Sequence, residues 1–146
     1  MKPHHLLLAL AAAALSGCGQ PREIAIEKAY VRLPAVSGNP AAAYFTLKGG
    51  ASDTRLLSVT SPLAVSGELH ETMTHGGMTM MHAQRDVPLP AGATLVFAPG
   101  GKHVMLNTVN PRVKAGGTMP LLFTFANNLR LQYDAPVLAA GDPAPK

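Results

Sequence analysis

The chain has 146 residues, the size of one ordinary domain, with four phenylalanines, three tyrosines and no tryptophan. Its formal charge is +4, but lysines and arginines are scattered singly, with no basic run interleaved with aromatics, so nucleic acid is not expected as a partner. One cysteine, Cys18, excludes a disulfide framework within the chain.

Met1-Lys2-Pro3-His4-His5 is a short positive start, and Leu6 to Leu15 is an unbroken apolar run of ten residues. A membrane-spanning helix needs about twenty, so the run reads as the apolar region of a secretory signal peptide covering residues 1–17. It ends in Leu15-Ser16-Gly17-Cys18, which resembles the bacterial lipobox. That resemblance implies cleavage before Cys18, lipidation of Cys18, and a short tether over residues 18–23. Each buried acyl methylene contributes about 0.8 kcal/mol, so several chains on one residue hold a protein firmly at the membrane. The expected location is extracytoplasmic, and loss of Lys2 with the leader leaves a charge near +3.

From Ile24 onward, short apolar or alternating runs are bounded by Gly, Pro, Asn, Asp and Ser, the pattern of strands and turns. Strands are expected over Ile24–Leu33, Ala41–Lys48, Arg55–Thr60, Ala64–Thr72, Met78–Gln84, Thr94–Ala98, His103–Val109, Thr118–Phe125 and Leu129–Ala135. Pro88-Leu89-Pro90-Ala91-Gly92 reads as loop, and residues 139–146 read as a flexible tail. No apolar set recurs at helical spacing over three turns. The fold class is therefore all-β, a Greek-key sandwich or barrel of about eight or nine strands over residues 24–138. With so few aromatics, its core should be mainly Val, Leu, Ile and Ala.

The chemistry concentrates in methionine and histidine. Met73, Met78, Met80 and Met81 fall within nine residues, with His70, His75 and His82 in or beside them. Thioether is a soft donor and imidazole an intermediate one, so a mixed set without carboxylate favours Cu(I) over harder cations. Methionine also fills gaps in cores, and composition alone leaves both readings open. Alternation puts Met78, Met80 and His82 on one strand face and Met81 on the other. Farther along, His103 and Met105 are two apart, so on a strand they point the same way and offer adjacent nitrogen and sulfur donors.

Together these residues read His70-X10-Met81-X21-His103-X-Met105, and this spacing resembles the signature of the PCuAC-type periplasmic copper chaperones. Neighbouring text agrees: Ala42-Ala43-Tyr44-Phe45, Glu68-Leu69-His70-Glu71, Pro99-Gly100-Gly101 and His103-Val104-Met105-Leu106. The resemblance implies a cupredoxin-like sandwich binding Cu(I) through His70, Met81, His103 and Met105. It also implies a carrier, not an enzyme, whose partner is a copper acceptor such as a cytochrome oxidase subunit or an assembly factor. Some forms of the motif place Met after the first histidine, where this chain has Glu71. The tail lacks the His/Met-rich extension of some relatives, so a second site would have to use Met73, His75, Met78, Met80 or His82. Two other copper or lipoprotein roles stay open: sequestration of copper, and a structural sandwich that binds none. A blue-copper electron carrier does not fit, because its thiolate ligand is missing from the domain.

Overall fold

The computed structural model describes residues 22–146; the expected signal peptide (1–17), Cys18 and the first part of the expected tether lie outside the described residues. Ten strands form β1 (Ala25–Arg32), β2 (Ala41–Lys48), β3 (Thr54–Thr60), β4 (Ala64–His75), β5 (Met78–Ala83), β6 (Val87–Leu89), β7 (Thr94–Phe97), β8 (Lys102–Val109), β9 (Thr118–Phe125) and β10 (Arg130–Leu138). The order β5-β4-β8-β2-β1-β10-β9-β3-β6 runs from one sheet into the other, with β7 added beside β2. The two layers join where β1 and β10 run parallel, Val31 against Val137; the other pairings are antiparallel. The result is the expected all-β cupredoxin-like sandwich, with no helix among the described residues.

Side-chain alternation decides which face each strand buries. In β2, Ala41, Ala43, Phe45 and Leu47 are buried while Ala42, Tyr44, Thr46 and Lys48 stay partly open. In β9, Met119, Leu121, Phe123 and Phe125 face inward in the same way. All four phenylalanines are buried, and Phe45 of β2 stacks on Phe97 at 4.2 Å and meets Phe123 of β9 edge-on at 4.8 Å. Otherwise the core is mainly Val, Leu and Ala, as the sequence reading expects. Few as they are, the phenylalanines hold the middle where the sheets meet, and each such pair adds about 0.5–1.5 kcal/mol beyond its burial.

Several boundaries differ from the sequence reading; β10, for one, runs to Leu138, three residues past Ala135. Val87-Pro88-Leu89 is a strand, not loop: Val87 and Leu89 are buried, and Pro88 lies opposite Arg55 of β3. Proline is tolerated there because β6 ends the sheet, so no further strand needs its missing N–H. Strand β4 continues to His75, three residues past Thr72, because Gly76 and Gly77 both adopt positive φ (57° and 78°). Two such residues between paired His75 and Met78 make the tight turn that matches strand twist.

Gly67 fixes how closely β4 approaches the second layer. A Cβ there would overlap the Val59 carbonyl oxygen of β3. Gly67→Ala should therefore lower stability by about 1–3 kcal/mol, the usual cost of overpacking. Thermal unfolding measures it, and an unchanged midpoint would refute the close approach.

Candidate metal centre

Strand register brings the four motif residues to one face. His70 of β4 pairs directly with His103 of β8. Met105, two residues on from His103, lies on the same face and is opposite Glu68. Met81 of β5 is opposite Thr72, itself two residues from His70, so it shares that face as well. Directly opposed residues point to the same side of a sheet, so three adjacent strands, β5, β4 and β8, present these four donors outward from the sandwich. Val104 and Leu106, on the other face of β8, are fully buried in the core.

The two imidazoles form the covered part of the site. His103 is only 6% exposed although it faces away from the core. Tyr44 of β2 stands beside it at 6.4 Å between ring centres, and Tyr30 lies against Tyr44 at 5.2 Å. Arg32 sits over Tyr30 at 5.7 Å. Burial, and then the neighbouring Tyr30, push the Tyr44 phenol above its ordinary value of 10.0, with Arg32 pulling the other way. Tyr44 is thus an uncharged wall to the site. Met81, in contrast, is 53% exposed on the edge strand.

Hydrogen bonds assign the ring nitrogens. The Gly101 carbonyl can only accept, so His103 Nδ1, 3.0 Å away, donates to it and Nε2 carries the lone pair. Glu68 as a carboxylate can likewise only accept, so His70 Nε2 donates to its Oε2 at 3.2 Å. The lone pair of His70 then falls on Nδ1, which is buried and has no hydrogen-bond partner. Such an atom in a covered site is costly unless something binds it. A metal ion would satisfy it. An ion held by imidazole nitrogen at about 2.0 Å sits roughly 3 Å from the ring centre, and the two rings are 5.9 Å apart, within reach of one ion.

Behind His70 stands a polar chain that the sequence reading missed. Asn107 Nδ2 donates to Glu68 Oε1 at 2.8 Å and lies 3.1 Å from Ser66 Oγ, so Glu68 is itself held in place. Asn107 continues the same-face series His103, Met105, Asn107, a signal that period-two counting could have found. Glu71 behaves differently. It lies on the opposite face of β4, where it accepts from Lys102 Nζ at 2.6 Å and Gln84 Nε2 at 3.3 Å. The departure from the methionine form of the motif therefore leaves the four-donor face untouched.

Three further carboxylates are engaged in structure. Asp86 pairs with Arg55, Asp53 accepts from the Ala91 N–H, and Asp134 accepts from Gln132. Among the described residues, no three His, Cys, Asp or Glu side chains converge on a possible metal position. A surface hollow at the β3–β6 edge, beside Asp53, Arg55 and Pro88, is lined by neither His nor Met.

The tautomer assignment is directly testable. Long-range proton–nitrogen NMR spectra should show His70 protonated at Nε2 and His103 at Nδ1. Glu68→Ala should abolish the His70 preference, while Glu68→Gln, which keeps an acceptor, should preserve it. A His70 ring protonated at Nδ1 in the unsubstituted protein would overturn the assignment.

Comparison with known proteins agrees with this architecture. Residues 24–137 match the family described as "Putative lipoprotein LpqE-like". "Putative lipoprotein Lxx21020" of Leifsonia xyli subsp. xyli is 34% identical over 116 residues, covering 78% of this chain and 69% of that protein. Among solved structures, the Cu(I) form of DR1885 from Deinococcus radiodurans superposes with a TM-score of 0.68 at 28% identity, covering 86% of this chain and 85% of that one. The copper-bound PCuAC domain from PmoF2 shares the fold, with a TM-score of 0.67 at 23% identity over 82% of this chain and 96% of its own. The chain belongs to the LpqE-like family, built on the PCuAC-type sandwich.

Proposed function

We propose that this protein is an extracytoplasmic Cu(I) carrier whose ligands are His70, Met81, His103 and Met105. The observation that carries the reading is the common face of these four donors, with the lone pair of His70 Nδ1 buried and unanswered. Two neutral nitrogens and two thioethers suit a soft monovalent cation. The resemblance to the Cu(I) form of DR1885 supports the same choice of metal. Glu68 and the Gly101 carbonyl act behind the ligands, each holding an imidazole in the tautomer that leaves the binding nitrogen free.

The arrangement suits transfer. His70 and His103 form a covered, preoriented pair, whereas Met81 is half-exposed on the edge strand. An acceptor can displace the open thioether first and take the ion in steps, without opening the core. The acceptor we infer is a protein of cytochrome oxidase copper assembly, or the oxidase subunit itself. The role is carriage and handover of copper, with no chemical transformation of a substrate.

Cys18 is the proposed lipidation site, with residues 1–17 removed, 18–23 as tether, 24–138 as the copper domain and 139–146 as tail. Membership in a family named for lipoproteins supports this reading. The tether places the domain at the membrane surface, where oxidase subunits reside.

Competition against a chromophoric Cu(I) chelator, at one equivalent of copper, tests the ligand set. His70→Ala, His103→Ala, Met81→Leu and Met105→Leu should each weaken binding at least about tenfold, or about 1.4 kcal/mol. Glu68→Ala should weaken it by about 10–100-fold, the range for groups that orient a ligand. Full affinity in both histidine variants would contradict the site. Cu(I) at a hundred times its dissociation constant should raise stability by about 2.7 kcal/mol, and an unchanged melting curve would favour a structural sandwich instead. Deletion of the gene should lower oxidase activity under copper limitation; unaffected activity would favour sequestration over delivery.

A further inference from the structure

The β4–β5 hairpin has a second face, and the four-donor site does not use it. Met73 is directly opposite Met80, and His75 is directly opposite Met78. His82, opposite Glu71, continues the same face beside Met80. Thr72, Thr74, Thr79 and Met81 point to the other side by strand alternation. Met73, Met78 and Met80 are 53%, 66% and 50% exposed, so they fill no gap in the core. The Gly76-Gly77 turn pins the register that aligns them.

We infer that this reverse face is a second binding site for a soft monovalent metal ion, Cu(I) or Ag(I), with Met73, Met78, Met80 and His75 as donors. Opposed Cβ atoms in an antiparallel pair lie about 4.5–5.5 Å apart and diagonal neighbours somewhat farther. Methionine has three flexible torsions, so three thioethers on two adjacent rungs can converge on one ion. The donor chemistry is selective. Glu71, the one carboxylate on this face, is already engaged by Lys102 and Gln84, leaving thioether and imidazole. A hard cation finds no oxygen ligand there, whereas a d¹⁰ monovalent ion finds three sulfurs and one nitrogen.

Met80 and Met81 are consecutive and point to opposite faces, so the two sites lie back to back on one arm. The second is the more exposed and has one imidazole where the first has two. It should fill after the first and exchange faster. The inference rests on the hairpin register alone and stands whether or not the first site is assigned correctly.

The test is a titration of the full chain in detergent, labelled at methionine methyl carbons, with Ag(I) followed by NMR. The first equivalent should shift the methyls of Met81 and Met105, and the second those of Met73, Met78 and Met80. Met119, fully buried in the core, is the internal control that should not move. The triple variant M73L/M78L/M80L should lose one equivalent of binding while Met81 and Met105 still respond. Shifts at Met73, Met78 and Met80 without any at Met81 or Met105 would uphold this site and overturn the other. Saturation at one equivalent with Met73, Met78 and Met80 unmoved would overturn the inference, and that result needs no variant to fold.

Discussion

The direct pairing of His70 with His103 across β4 and β8 is the constraint on which the rest depends. Sheet side chains repeat with period two, so a slip of one residue would turn one ring into the core and leave the other outside. Several features make that slip costly. Leu69 opposite Val104 and Gly67 opposite Leu106 commit alternate residues of both strands to the interior. Gly67 also leaves no room for a side chain against Val59. Lys102 and Glu71 add a partly buried ion pair at the rung just beyond the histidines. The core therefore sets the register, and the register assembles the proposed metal face. Stability and the proposed function are thus coupled through backbone position.

The site combines a rigid part with an open one. His103 is walled by Tyr44 and tied to the Gly101 carbonyl; His70 is tied through Glu68 to Asn107 of β8, which also donates to Ser66. In the proposed site these bonds fix which nitrogen is free before any ion arrives, which would reduce the ordering cost of binding. Met81 is held differently. It sits on a two-stranded arm that extends past the end of β8, with solvent at its side chain. A carrier needs both properties, since a wholly enclosed ion would be released slowly and a wholly exposed one held weakly.

Much of this was legible in the sequence, because it depends on local periodicity and on fixed gaps. Turn residues and alternation gave nine of the ten strands, and the period of two put His103 with Met105 and separated Met81 from Met80. The three-residue β6 was hidden because Val87-Pro88-Leu89 is short and carries a proline that only an edge position excuses. The Val, Leu and Ala character of the core was legible, but the place of the four phenylalanines at its middle was not, because a count of aromatics says nothing about where they stand. Glu68 and Asn107 were overlooked as a pair because they are thirty-nine positions apart in sequence and meet only through strand pairing. The His70 tautomer, likewise, follows from a hydrogen bond that no spacing rule encodes.

X-ray absorption of the protein loaded with one equivalent of Cu(I) tests the central claim most directly. Mixed thioether and imidazole ligation by His70, Met81, His103 and Met105 predicts both sulfur scatterers, near about 2.3 Å, and imidazole nitrogens near about 2.0 Å. The edge should be that of the monovalent ion. A first shell of nitrogen and oxygen alone would contradict the account, because the shared face of β5, β4 and β8 would then not be what holds the metal.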